Sequence, residues 1–228
     1  MFAETPMTQP DFPPDLSPTA SGAGFSRSDF VSQTGACDQA MQDMDAYLSL
    51  LSDWNERMNL VGPSALATFW GRHAFDSAQL LRTAPNAKTW VDLGAGAGFP
   101  GLVLAILLKN RPGATVHLVE SMAKRCGFLR VVSAELKLPT QVHNARAESL
   151  HLSPVDVVTA RALAPLPKLL QYAYPVLRGH TVGLFLKGRD VETEIGEARK
   201  SWTFDATLIP SESDREGRIL KIQRLNRV

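Results

Sequence analysis

The run Asp-Leu-Gly-Ala-Gly-Ala-Gly-Phe-Pro-Gly at 92–101 limits the fold of this 228-residue chain more than any other feature. It follows Thr89, Trp90 and Val91, which read as a strand, and leads straight into the apolar stretch from Leu102 to Leu108, which reads as a helix. A strand, a glycine turn and a helix in that order belong to parallel sheets. Ligands of such sheets bind in the crevice at the carboxyl ends of the strands, where glycines let the backbone come close to them. The pattern beyond residue 88 agrees. Short β-branched runs at 89–93, 115–120, 140–145, 156–160 and 181–187 alternate with helical stretches near 101–110, 122–137 and 166–178, as in a sheet covered on both faces. A helix near 190–201 precedes two further strand candidates, 206–210 and 218–225, and the polar turn at 212–217 between them predicts an antiparallel hairpin. The expectation is an α/β fold with a mostly parallel, seven-stranded sheet over 88–228.

Ahead of the sheet, Met41, Met44, Leu48 and Leu51 share one helical face that ends at the Asn59–Pro63 turn. Ser64 is placed to cap a second helix whose face carries Leu66, Trp70, His73, Ser77 and Leu80. Residues 36–87 therefore read as a helical N-terminal subdomain. Residues 1–35 are rich in Pro, Ser, Thr and Gly, with Phe2, Phe12, Phe25 and Phe30 scattered without period, and read as a disordered leader. The two cysteines, Cys37 and Cys126, are far apart and suit free thiols in a reducing compartment. No run approaches the roughly 20 apolar residues of a membrane span, and a cytoplasmic monomer is expected. The net charge of +1 leaves any contact with nucleic acid to a local patch.

The details of the loop discriminate among ligands. Dinucleotide sites use Gly-x-Gly-x-x-Gly, whereas Gly94, Gly96 and Gly98 alternate here. Pro100 stands where a pyrophosphate would want a free N–H at the helix start. A sulfonium with an amino-acid tail, as in S-adenosylmethionine, carries no phosphate and favours a carboxylate such as Asp92 beside the loop. Glu120, 22 residues past Gly98, closes the second strand where nucleoside-binding folds place an acid for the ribose hydroxyls. The plainer reading is that both acids cap the helices that follow them. A nicotinamide-dependent oxidoreductase is the rival from another class.

With its surroundings, the loop resembles the RsmG family, also called GidB, over most of residues 45–225. The resemblance rests on Trp54, Asn55, Asn59 and Leu60; His73, Asp76 and Ser77; the 92–101 loop; Glu120, Ser121, Lys124 and Arg125; Phe128 and Leu129; Arg146, Ala147 and Glu148; Arg161 and Ala162; and Lys187 and Gly188. It implies a Rossmann-like class I methyltransferase fold with a helical N-terminal extension. The implied activity is methyl transfer from S-adenosylmethionine, leaving S-adenosylhomocysteine, to N7 of a guanine in 16S ribosomal RNA, with no metal. It further implies that Gly94 and Phe99 line the cofactor pocket, that Glu120, Ser121 and Met122 lie along the ribose, that Ala147 and Glu148 flank the adenine, and that Arg161 stands beside cofactor and base. Family members commonly carry Thr or Ser where this chain has Ala95. A methyltransferase acting on another RNA or on a small molecule, and a non-catalytic RNA-binding module, are the alternatives.

N7 of guanine has an in-plane lone pair and no proton at neutral pH, so no general base is expected and positioning should supply most of the rate. Arg161 ends the buried-looking Val157, Val158, Thr159, Ala160 run, where its charge needs a partner; it is the expected positioning residue. Asn59, His73, Lys124, Arg125, Lys187 and Arg218 are the substrate-binding candidates, with Arg130, Arg189 and Arg215 near the same mouth. His73 and Asp76, a turn apart, could instead form a buried pair that fixes the helices to the sheet. Trp54 reads as core or as a stacking platform.

Overall fold

The structure, a computed structural model, describes residues 24–228. Helix α1 (Arg27–Thr34) starts at a capping box in which Ser26 and Asp29 satisfy each other's backbone N–H, and it stops at Gly35 with φ 64°. The disordered reading of 1–35 is therefore corrected from residue 24 onward. Its physical cause is burial: Phe30 is fully buried against Trp70, and Phe25 stacks on Phe75. The part of that expectation covering 1–23 lies outside the described residues.

Helix α2 (Asp38–Met58) buries Met41, Met44, Tyr47 and Leu51 along one stripe and ends at Asn59, φ 49°. Ser64 does not cap a helix; residues 63–68 form turns, and a π-helical segment (Phe69–Phe75) runs directly into α3 (Asp76–Thr83). His73 lies within the π-helical segment and Asp76 opens α3, and the two side chains find different partners.

The strands are β1 (Thr89–Leu93), β2 (Thr115–Glu120), β3 (Thr140–Asn144), β4 (Val157–Arg161), β5 (Val182–Lys187), β6 (Trp202–Pro210) and β7 (Arg218–Arg227). Between them lie α4 (Gly101–Leu107), α5 (Ala123–Glu135), a 3-10 turn (Ala147–Ser149), α6 (Leu166–Ala173) and α7 (Val191–Ala198). The single sheet has the order β3-β2-β1-β4-β5-β7-β6, with β1 to β5 parallel and β7 antiparallel to both of its neighbours.

Two cores flank the sheet. Trp90, Val116, Leu118, Val157 and Leu184 face the α1–α5 side, while Val91, Leu93, Val119, Val158, Ala160 and Phe185 face α6 and α7. The two-residue period of a strand then assigns the strand ends. Asp92, Thr159 and Arg161 fall on the helical-extension face, and Lys187 falls on the α7 face. The order reverses between β1 and β4, the topological switch point at which such sheets bind ligands.

Candidate active site

The glycine loop is tied back to the sheet by Gly94 and Ala95, whose N–H groups donate to the Val119 carbonyl at 2.8 and 2.9 Å. Gly98 has φ 102°, and a Cβ there would lie 2.3 Å from Leu102 and 2.9 Å from the Tyr47 hydroxyl. Conformation and space both demand glycine. Gly96 differs: a Cβ on it would meet nothing nearer than the Gly94 carbonyl at 3.7 Å, so the loop opens outward at this residue.

Asp92 is 1% exposed. Its Oδ2 accepts from Gly101 N–H at 2.9 Å and its Oδ1 accepts from the Thr159 hydroxyl at 3.1 Å. The carboxylate caps α4 from beneath the loop, because strand period turns it toward the core. Burial pushes its pKa up to about 7, against the lowering effect of the Gly101 and Thr159 hydrogen bonds and of Arg161. The folded protein therefore binds a proton that the unfolded chain releases near pH 4, and stability falls as pH rises between about 4 and 7, by up to about 1.4 kcal/mol per pH unit. Asp92→Asn, whose amide can accept from Gly101 and donate to Thr159, is expected to fold and to remove that slope. Urea titrations at pH 5 and pH 8 check this; an unchanged slope would locate the titration elsewhere.

Glu120 lies across the crevice from the loop. Its Oε2 accepts from Gly96 N–H at 3.1 Å, and its Oε1 accepts from Met122 N–H at 2.8 Å and from the Ser121 hydroxyl at 3.4 Å, which fixes the carboxylate while leaving a lone pair on Oε2. Ser121 and Glu148 are exposed and Ala147 is half-buried on the 3-10 turn. Met122 is 52% exposed, unusual for a large apolar side chain. An open glycine, a pinned acid with a spare acceptor and an exposed thioether fit a nucleoside-bearing cofactor.

A cleft of about 610 Å³ lies next to this crevice, at the tips of β4 and β5 and under the β6–β7 turn. Phe99, a buried residue of the glycine loop, packs against His73 and Arg161 of the cleft lining. His73 stacks on its ring at 4.7 Å and the Arg161 guanidinium lies 5.4 Å from its centroid. Arg161 donates to the Arg72 carbonyl at 2.9 Å and to His73 Nδ1. Burial, then Arg161, then Arg72 push the His73 pKa down to about 3, so His73 is a neutral acceptor at physiological pH. The expected His73–Asp76 pair is not formed. Asp76 instead accepts from the Ser211 hydroxyl at 2.9 Å and from that of Ser213, and Arg72 pairs with Asp214 at 2.6 Å. Together these contacts fasten the β6–β7 turn to the helices.

The other candidates divide. Lys187 and Arg218 line the cleft, and the Lys187 charge is held in place. Facing α7, it pairs with Glu194 at 2.6 Å and donates to the Ala164 carbonyl at 3.1 Å. Arg218 donates to the carbonyls of Arg215 and Gly217. Arg125 stands 3.8 Å from Glu120 and Lys124 is exposed. Asn59 terminates α2 away from the cleft lining. Trp54 packs on Phe128 in the core. Tyr47, which the sequence reading passed over, is the main addition: fully buried, it donates to the Ala97 carbonyl at 2.6 Å. Its helical spacing with Met44 and Leu51 is that of a core residue and carries no sign of the loop contact.

The strand order, with β7 entering antiparallel between β5 and β6, is that of the class I S-adenosylmethionine-dependent methyltransferases. An O-methyltransferase from Bacillus cereus solved with SAH superposes with TM-score 0.57 at 15% identity, covering 87% of this chain and 96% of its own. A putative O-methyltransferase from Klebsiella pneumoniae gives 0.56 at 14%, covering 89% and 99%. Within that class the chain belongs to the GidB family, rRNA small subunit methyltransferase G, which it matches over residues 40–216. Ribosomal RNA small subunit methyltransferase G of Caulobacter vibrioides is 59% identical over 215 residues, 94% of this chain and 99% of the relative. The protein of the same name from Methylorubrum populi is 46% identical over 204 residues, 89% and 97%.

Proposed function

We propose that the protein transfers a methyl group from S-adenosylmethionine to N7 of a guanine in 16S ribosomal RNA, acting as a cytoplasmic monomer whose crevice and cleft come from one chain. The observation that carries this reading is the contact of Phe99, a residue of the glycine loop, with Arg161 and a neutral His73, which line a cleft large enough for a base. When bound, the cofactor supplies an electrophilic methyl group on a sulfonium. Glu120 would accept from the ribose hydroxyls, Met122 would cover the adenosine, and the space over Gly96 would admit the cofactor to the loop. Arg161, held from two sides, would fix the incoming purine in line with the methyl carbon.

The cleft suits an acceptor that arrives without a proton to lose. Asp76 is bound by two serine hydroxyls, Asp214 by Arg72 and Glu194 by Lys187, so each acid in the lining is already engaged. His73 accepts from Arg161 with the atom a base would use. His73→Asn is accordingly expected to leave the shape of the single-turnover pH–rate profile at saturating cofactor unchanged between about pH 6 and 9; a limb that vanishes in the variant would make His73 a base and overturn the reading.

The deciding experiment is mapping of methylated guanine in 16S RNA from a deletion strain and from the complemented strain. Transfer of labelled methyl to small metabolites, with none to the RNA, would refute the proposal. A titration with S-adenosylhomocysteine against NADH separates the cofactor classes: binding of the first alone is expected.

A further inference from the structure

The end of the sheet opposite the cleft carries a second concentration of positive charge. Strand β7 runs from Arg218 in the cleft lining to Arg227, on the order of 30 Å at about 3.3 Å per residue. At that far end Tyr174 and Trp202 lie with ring centroids 5.2 Å apart, and Phe204 follows Trp202 on the same side of β6. Three exposed arginines cover the aromatic row. Arg178 lies 5.9 Å from the Tyr174 centroid, Arg227 lies 5.2 Å from Tyr174 and 5.5 Å from Trp202, and Arg199 lies 5.2 Å from Phe204.

None of the three has a carboxylate within 4.0 Å among the described residues, whereas Arg27, Arg72, Arg82, Arg125, Arg189 and Arg224 each have one. Glu197, two residues from Arg199, and Asp205, one residue from Phe204, are engaged by Lys200 and Arg224. Arg178 and Arg227 share one ring, so two like charges are gathered where no acid pairs with them. A guanidinium lying on an aromatic face keeps its N–H donors at its rim, in a geometry suited to phosphate oxygens, and loses little rotamer freedom on binding.

We propose that Arg178, Arg199 and Arg227 form a second anion-binding surface that takes the phosphodiester backbone of folded ribosomal RNA, far from the base in the cleft. The inference rests on the reading that ribosomal RNA is the substrate. A chain of net charge +1 has little overall attraction for a polyanion, so affinity must come from local patches. Phosphate contacts set register and affinity without reading sequence, which leaves base selection to the cleft.

The test is equilibrium binding of the full-length protein to 16S ribosomal RNA across a salt series, alongside methyl transfer to the same RNA. The double variant Arg178→Gln/Arg227→Gln is expected to bind about tenfold more weakly and to lower the slope of log K against log salt by about 1.5, as for two lost phosphate contacts. KM for RNA should rise with kcat, Tm and S-adenosylhomocysteine affinity unchanged, and Arg178→Lys/Arg227→Lys should recover most of the slope. An unchanged slope, or a fall in Tm with RNA affinity intact, would mean that the arginines only shield the rings and would overturn the proposal. Wild-type protein that binds the RNA without methylating it would refute the proposed reaction and leave the slope comparison valid. Failure of the wild type to bind the RNA would sink both.

Discussion

Arg161→Ala is expected to slow single-turnover methyl transfer by on the order of 10²–10³-fold, the range seen when one preorganised polar contact to a reacting group is removed. The side chain is anchored by the Arg72 carbonyl and His73 Nδ1 and lies over Phe99, so a small replacement removes the contact and its support together. A stability cost of about 1–3 kcal/mol should accompany the loss, since His73 would be left a half-buried acceptor without a donor. Asp76 and Asp92, whose pKa values Arg161 holds down, should both titrate higher in the variant. Arg161→Lys keeps the charge but reaches one acceptor in place of two and should fall between the two proteins. Quench-flow rates corrected for the folded fraction measure the effect; Arg161→Ala within about threefold of the parent would remove Arg161 from the reaction.

The second large effect is expected at Gly98. Gly98→Ala places a methyl group 2.3 Å from Leu102 and 2.9 Å from the Tyr47 hydroxyl at φ 102°, a conformation that side chains rarely adopt. Leu102 is fully buried and Tyr47 is bonded to the same loop, so neither can yield without moving the loop. A destabilisation of about 2–4 kcal/mol is expected, with cofactor affinity lowered at least tenfold in whatever remains folded. Gly96→Ala is the control. Its methyl group meets nothing within 3.4 Å, so stability should fall by only about 1–2 kcal/mol from the positive φ, while affinity falls as far as in Gly98→Ala because the methyl group occupies the opening itself. Thermal unfolding and S-adenosylhomocysteine titration of the two variants separate the roles; equal stability losses would show that the two glycines do the same work.

What was legible in the sequence was whatever has a short period. The β-branched runs predicted β1 and β2 to the residue, because parallel central strands are apolar on both faces and stop where polar turns begin. Strand β6 begins at Trp202, before the expected 206, since its early residues, Trp202 and Phe204, are interrupted by Thr203 and Asp205 at a bulge. Helix α1 was hidden because eight residues with two buried side chains make almost no periodic signal beside a Pro-rich run. The π-helical segment was hidden for a different reason: its apolar spacing is compatible with one α-helix, and only packing selects the wider turn. At the site, residue types were readable and directions were not. Asp92 and Lys187 were picked out as strand-end charges, but which side of the sheet each faces depends on the register of the strand, and that decided that Asp92 caps α4 and Lys187 holds Glu194. The Arg161–His73–Phe99 stack joins three distant segments, for which no local pattern exists.

The bond from Tyr47 to Ala97 bears on how far this protein can be taken apart. A fragment beginning at residue 88 would contain every glycine of the loop, both strand-end acids and the whole sheet, and by sequence it would pass for a complete cofactor domain. It would lack the hydroxyl that holds the Ala97 carbonyl, the ring that walls Gly98, and the histidine that steadies Arg161. The helical extension is thus not a detachable module but one jaw of the site. Swapping that extension between related enzymes should exchange acceptor preference and cofactor grip together, not one without the other.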